Sequence, residues 1–240
     1  MTNDILLRYS IRDALEFCRT HHIQIPPDLL DGLEAVGIAA KAIGDITAIS
    51  AEYHDAITQA IISYFNGERR RQNANADFRK ACTQAFGDGF DTGWQDGGGQ
   101  LPTDPDANDW LNARTEEEFG HISVLFSQMK DLKGEEGFDY FAYATARADG
   151  YTKTLLAVYG MGKIMAAKNK MLTFAGPNGQ PDNICQRNNG TCVRLMGQRH
   201  RASWWVAHDL LPYPGNANYD CGAWECRHRL EDDDGNKFTQ

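Results

Sequence analysis

Long uncharged apolar runs are missing from this sequence of 240 residues. The most apolar stretch, residues 29–65, is interrupted by charged side chains such as Glu34, Lys41 and Asp55, so it cannot cross a bilayer. Residues 1–10 hold a run of only three apolar residues, which is too short for the apolar region of a secretory signal. We therefore expect a soluble protein that is made in the cytoplasm and has no membrane anchor.

An excess of positive charge is also missing, since 24 Lys and Arg residues face 33 Asp and Glu residues and the net charge is -9. A chain with this balance does not coat nucleic acid along its whole length, so any such contact must be local. Cysteine is scarce as well, and six cysteines exclude a disulfide-dense secreted scaffold. Hydrophobic residues make up 42% of the chain, which is enough to bury a sizeable core without crosslinks.

Apolar residues recur three and four positions apart in several segments, and this spacing predicts amphipathic helices. The segments are 26–44, 46–67, 77–94, 110–132, 138–148 and 151–172. Gly87, Gly89 and Gly93 lie in the third segment and are interpreted as helix-packing or helix-end glycines, because their spacing does not fit a dinucleotide-binding loop. Cys82 lies on the apolar stripe of the same segment and is expected to be a buried, inert thiol.

Changes in composition divide the chain into five parts. Residues 97–109, rich in Gly and Pro, are predicted to link an N-terminal helical region, 1–96, to a central helical region, 110–172. Residues 173–230 are rich in Gly, Asn, Cys and Trp and predict short strands and turns, and residues 231–240 predict an acidic, solvated and frayed tail. The expected fold class is mainly α, with a small irregular Cys-rich α+β module at the C-terminus.

Four cysteines crowd that module in two pairs, Cys185 with Cys192 and Cys221 with Cys226. Four thiolates could form a closed tetrahedral zinc site that stabilises a module with little apolar area of its own. Two disulfides or unlinked thiols remain alternatives. His200, His208 or His228 could replace one cysteine as a zinc ligand.

The module is basic although the whole chain is acidic. From residue 168 to residue 230, eight basic residues face four acidic ones. Such an asymmetry predicts a contact with nucleic acid or an acidic neighbour at this end, although the basic residues could also pair with acidic residues of the same chain. The candidate binding residues are Lys168, Lys170, Arg187, Arg194, Arg199, Arg201, Arg227 and Arg229.

A second, smaller basic step is Arg69–Arg71. It is interpreted as a solvated surface, with an acidic partner or a phosphate as the alternative. The histidines suggest a further alternative, because the order of His208, Asn218 and His228 among the cysteine pairs resembles that of metal-dependent nucleases of the HNH type. Local packing of these histidines is the competing interpretation.

The last third of the chain resembles a known family. Its segments Thr154–Gly162 and Leu172–Pro177, the late cysteines, Leu195-x-Gly197, Trp204-Trp205 and Pro212 are similar to the C-terminal half of the Mu F-like head morphogenesis proteins, minor head proteins of tailed phages. The resemblance implies a structural virion component, made in the host cytoplasm, that works near the portal in head assembly, genome packaging or delivery. Its implied partners are portal and capsid proteins and packaged DNA, with Cys185, Cys192, Cys221 and Cys226 in a structural role and no catalytic residue. The alternatives are the HNH-like nuclease and a helical adaptor with a structural zinc module.

Overall fold

The computed structural model describes residues 46–101, 103–176, 190–213, 215–219, 223 and 227–239. This part of the chain is mainly helical, with a small sheet near its C-terminal end, as the sequence predicts. The helix predicted over 26–44 lies outside the described residues. In chain order the elements are α1 (Ile46–Phe65), α2 (Arg71–Asp96), α3 (Pro105–Leu132), α4 (Tyr140–Ala166), β1 (Met171–Ala175), α5 (Gly190–Leu195), β2 (Arg199–Arg201), α6 (Ala202–Ala207) and β3 (Arg229–Glu231).

The first helices follow the predicted apolar periodicity. In α1 the residues Ile49, Tyr53, Ile57 and Ile61 form a buried stripe, and the chain turns at Gly67, whose φ of 77° is one that glycine adopts without strain. The third predicted segment, 77–94, lies inside the longer α2.

Helix α3 begins earlier than the composition suggested. Asp104 is its N-cap and accepts a hydrogen bond from the backbone N–H of Asp106 at 3.0 Å, and Pro105 occupies the first helical turn. Residues 105–109 of the predicted linker therefore belong to the helix. Residues 45–240 form one compact unit, so the described helices on both sides of residues 97–104 share one core.

The prediction of separate helices over 138–148 and 151–172 is wrong, because residues 140–166 form one continuous helix, α4. Gly150 does not break it. The turns on either side are fixed by buried Ala148 and Leu155, and this packing outweighs the modest helix penalty of one glycine. The predicted helix end is replaced by strand β1, which begins at Met171.

Glycines allow α2 and α4 to touch backbone to backbone. A Cβ on Gly93 would lie 2.8 Å from the carbonyl carbon of Tyr159, and one on Gly162 would lie 3.2 Å from that of Phe90. Ordinary contacts of a Cβ lie at 3.4–4 Å, so neither position has room for a side chain. The interpretation of Gly93 as a helix-packing residue is confirmed.

The described strands form an antiparallel sheet in the order β2-β1-β3. Thr173 is the central residue of one row, paired with Arg199 on one side and Glu231 on the other. The inner face carries Leu172, Phe174 and Leu230, each fully buried, and the indole Nε1 of Trp205 donates to the Leu172 carbonyl at 3.2 Å. None of the described helices is long and apolar enough to span a membrane.

Candidate functional site

The outer face of the sheet gathers three of the eight predicted binding residues, Arg199, Arg201 and Arg229. We call these three residues the arginine face. Side chains alternate between the two faces of a strand, so Arg199 and Arg201 share one side of β2 while His200 points to the other. Arg229 lies on the same side of the sheet because its partner Ala175 is two residues from Thr173, the partner of Arg199.

Two acidic residues at the end of β3 and just after it contact two of these arginines. The guanidinium of Arg199 donates to both carboxylate oxygens of Asp233, at 3.2 and 2.6 Å, and Arg229 pairs with Glu231 on its own strand. Among the described residues Arg201 has no carboxylate partner, and it donates to the amide oxygen of Asn169 at 3.3 Å. The alternative that the basic residues pair within the chain is therefore correct for Arg199 and Arg229.

The Arg199–Asp233 pair is open to solvent, with 48% of the arginine side chain and 66% of the aspartate side chain exposed. Exposed pairs of this kind contribute about 0 to 1 kcal/mol, because water and salt screen them. The pair thus orients Arg199 but contributes little to stability.

The expectation of a solvated, frayed tail is wrong for Asp232 and Phe238, which are both buried. The Asp232 carboxylate accepts from the Lys170 ammonium at 2.6 Å and from the Asn236 backbone N–H at 2.8 Å. Burial alone would raise the pKa of Asp232, but the hydrogen bonds from Lys170 and Asn236 outweigh burial and hold the pKa well below its usual range.

Phe238 fixes the end of the described chain against α4. The ammonium groups of Lys163 and Lys170 lie 4.7 and 5.0 Å from the centre of its ring, and Lys163 also donates to the Lys237 carbonyl at 2.8 Å. The composition of residues 231–240 did not reveal this, because a single aromatic residue in a polar segment gives no periodic signal.

The other predicted binding residues that the structure describes make separate contacts. Lys168 pairs with Asp104, the N-cap of α3, at 2.9 Å. Lys170 is bound to Asp232, Arg194 donates to Gly190 and Thr191 of its own helix, and Arg227 is exposed. Arg187 lies outside the described residues.

Of the four predicted zinc ligands, only Cys192 lies within the described residues. It is buried on α5, whereas Cys185, Cys221 and Cys226 fall in segments that the structure does not describe. Among the described residues there is no group of three or more His, Cys, Asp or Glu side chains arranged for a metal ion. The zinc site and its ligand set stay predictions.

The histidines of the module make local packing contacts. The rings of His200 and His208 stack on Trp204, with centroids 3.6 and 4.2 Å from that of the indole. His228 is buried and stacks on Phe174 at 5.2 Å, and burial lowers its pKa. The nuclease hypothesis stays a prediction without an observation that favours it.

Asn218, the remaining residue of the nuclease-like order, shapes a loop. Its amide donates to the backbone carbonyl and the carboxylate of Asp209, at 3.0 and 2.9 Å. Asp209 has a φ of 49°, a conformation that aspartate tolerates better than most residues. These bonds fix the chain after α6, beside the sheet.

One buried charge in the helical part has no counterpart in the sequence analysis. Glu118 on α3 is 3% exposed and accepts from Arg114 of the same helix at 3.2 Å. Burial raises the pKa of Glu118 despite the nearby guanidinium. A glutamate at a helical position normally indicates the solvated side, so the sequence pattern offered no signal for this pair.

Comparisons of the chain with protein-family models, with curated proteins and with solved structures give no match. The resemblance to phage head proteins therefore depends only on the residues named in the sequence analysis.

Proposed function

We propose that this chain is a structural minor head protein of a tailed phage and acts near the portal in head assembly, genome packaging or delivery. The proposal starts from the resemblance of residues 154–230 to the Mu F-like proteins. It is supported by the continuous path from helix α4 into the sheet, which mounts the small module on the helical core of the same compact unit.

The observation that carries the proposal is the arginine face. It places three arginines on one side of the sheet, of which Arg199 and Arg201 are exposed and Arg229 is mostly buried against Glu231, while Leu172, Phe174 and Leu230 are buried on the other side. Guanidinium groups bind carboxylates and phosphates in bidentate fashion, so the face suits an acidic surface of a portal or capsid protein or the backbone of packaged DNA. In the same proposal the buried Cys192 belongs to a structural zinc site with the other late cysteines.

The presence of the chain in particles tests the assignment directly. Purified procapsids and mature virions would be separated on a density gradient and analysed by mass spectrometry. The proposal expects a low copy number that follows the portal protein across the gradient. Absence from both kinds of particle would refute it.

A binding experiment tests the arginine face. Binding of the full chain to duplex DNA and to purified portal protein would be measured at rising salt, and the affinity should fall steeply because released counterions drive such contacts. Replacing both Arg199 and Arg201 with alanine should weaken binding, and replacing Arg147 and Lys153 of α4 provides a control with the same change in charge. Binding that does not depend on salt, or equal losses in the two double variants, would contradict a role for this face.

Asp233→Asn gives the complementary test. It removes the carboxylate that contacts Arg199 and should strengthen the same interaction. This substitution is sharper than a truncation after Leu230, because a truncation would also remove the buried side chains of Asp232 and Phe238.

A further inference from the structure

A polar groove lies between the first half of α2 and the second half of α3, away from the module. Its volume is about 450 Å³. Arg71, Asn75 and Arg79 line it from α2, and Ser123 and Ser127 line it from α3, with Phe126 among the lining residues. The four-residue spacing on each helix brings these side chains to facing stripes.

Arg79 is held in place before any ligand arrives. Its Nη2 donates to the Ser123 hydroxyl at 2.7 Å and to the Phe119 carbonyl at 3.3 Å, and its guanidinium lies 4.9 Å from the centre of the Phe119 ring. All these partners are neutral, so the positive charge is oriented but not neutralised.

The rest of the groove adds positive charge and no negative charge. No Asp or Glu is among the described residues that line it. Arg71 is exposed and has no ion pair within the described part of the chain, and the nearby Asp77 contacts Arg69 at 3.4 Å. The first turn of α2 also lacks an acidic residue, so the positive end of the helix dipole stays uncompensated there. A chain with net charge -9 thus keeps a local cationic groove.

We infer that this groove binds the phosphate group of a small phosphate ester, with Arg79 and Ser127 as donors to the phosphate oxygens and Arg71 at the mouth. Ser123 positions Arg79 instead, because its own hydroxyl donates to the Phe119 carbonyl at 2.8 Å while accepting from the guanidinium. Guanidinium and hydroxyl donors together match an anion with several acceptor oxygens better than a single carboxylate. The volume lies within the range of small-ligand sites. This inference agrees with the alternative interpretation of Arg69–Arg71 as phosphate-binding residues. It does not depend on the proposed role of the arginine face.

Isothermal titration calorimetry of the full chain would test the site with pyrophosphate and with ADP, and with acetate as a carboxylate control. We expect one site per chain for both phosphate compounds and no heat with acetate. Arg79→Ala should weaken pyrophosphate binding by about 10-fold or more, since a hydrogen bond to a charged group contributes about 1.5 to 3 kcal/mol.

Arg71→Glu separates binding from folding. A glutamate in the first turn favours the helix start, so the helices should be at least as stable as in wild type, while its carboxylate should abolish phosphate binding. Lys80→Glu is the matched control, because Lys80 is exposed, lies one residue beyond Arg79 and does not line the groove. Its affinity should stay within about threefold of wild type, the effect of a screened surface charge.

Three results would overturn the inference: no binding of either phosphate compound to wild type, equal binding of acetate, or equal losses in Arg71→Glu and Lys80→Glu. Circular dichroism identifies an Arg79→Ala protein that fails to fold, and Arg71→Glu then decides the question alone. ADP binding tighter than pyrophosphate would extend the site to a nucleotide, and equal affinities would restrict recognition to the phosphate group.

Discussion

Two glycines six residues apart on helix α2 should respond in opposite ways to the same substitution. Within the described part of the chain, Gly87 has no heavy atom within 4 Å of the position that a Cβ would take, whereas a Cβ on Gly93 would lie 2.8 Å from the carbonyl carbon of Tyr159 on α4 and closer still to its oxygen. Both residues are helical, so the intrinsic preference of the helix for alanine is the same at the two positions. The difference between the two variants therefore isolates the contact between α2 and α4.

The magnitudes follow from these distances. Gly87→Ala should stabilise the protein by about 0.8 to 1 kcal/mol, the difference in helix propensity between glycine and alanine. At Gly93 the neighbour is backbone and cannot rotate away, so α2 and α4 must separate by more than about half an ångström to restore an ordinary contact. Overpacking of this kind costs about 1 to 3 kcal/mol or more, which outweighs the propensity gain.

Thermal unfolding followed by circular dichroism at 222 nm would measure both effects. For a chain of this size about 1 kcal/mol corresponds to 2–4 °C in Tm, so Gly87→Ala should raise Tm by about 3 °C and Gly93→Ala should lower it by about 3 to 8 °C. Gly162→Ala, on the opposite side of the same contact, should behave like Gly93→Ala. A Gly93→Ala protein as stable as Gly87→Ala would show that these helix backbones do not touch, and the reasoning would fail.

Three further predictions concern single side chains. Asp232→Asn should lower the free energy of unfolding by about 2 to 3 kcal/mol and speed hydrogen exchange around the C-terminal strand, because it leaves Lys170 without its buried partner. Asp234→Asn, at an exposed position, is the control and should change neither quantity. Because the pKa of Asp232 is lowered in the fold, its contribution is complete above about pH 4, the unfolded value, and is lost as pH falls through the folded pKa, so Asp232→Asn should also flatten the loss of stability in acid. Burial raises the pKa of Cys82 to about 12, so iodoacetamide at pH 8 should leave it unmodified in the folded protein and alkylate it fully in urea, as mass spectrometry of its peptide would show. Protein purified without chelator should contain about one zinc ion per chain, and Cys185→Ser should release it; metal-free protein in which the four late cysteines alkylate without reductant would contradict both zinc and disulfides.

Periodicity was sufficient to predict the helical part where a helix has one apolar stripe and a clear end. Helix α1 is of this kind, since its buried residues recur regularly and Gly67 terminates it. The same reasoning divided α4 wrongly at Gly150, because the helix penalty of a glycine is local whereas the contacts that outweigh it come from other helices. The interpretation as helix-packing glycines succeeded for Gly93, which contacts the α4 backbone, and not for Gly87, which has no described atom near the position of a Cβ.

The sites were harder to predict because they depend on which elements become neighbours. Arg79 and Ser123 are 44 positions apart, and only the packing of α2 on α3 brings them within 2.7 Å. Arg199 and Arg229 belong to opposite edge strands of the sheet, and each of these strands is only three residues long, too short for an alternating pattern to show in the sequence. Charge counting correctly detected a basic segment but could not determine which residues share a face.

The acidic run after Leu230 shows why counting charges is insufficient there. Glu231 and Asp233 are two positions apart and both contact arginines of the arginine face, whereas Asp232 between them is buried against Lys170. Alternation along the strand and its continuation accounts for this division, because neighbouring side chains point to opposite sides. The buried carboxylate holds the segment in place, and that position in turn holds the exposed carboxylate of Asp233 within reach of Arg199. A partner that displaces Asp233 therefore replaces only a weak, solvated pair and leaves the buried contact of Asp232 with Lys170 intact. Arg199 can then change its partner while the sheet that supports it stays folded.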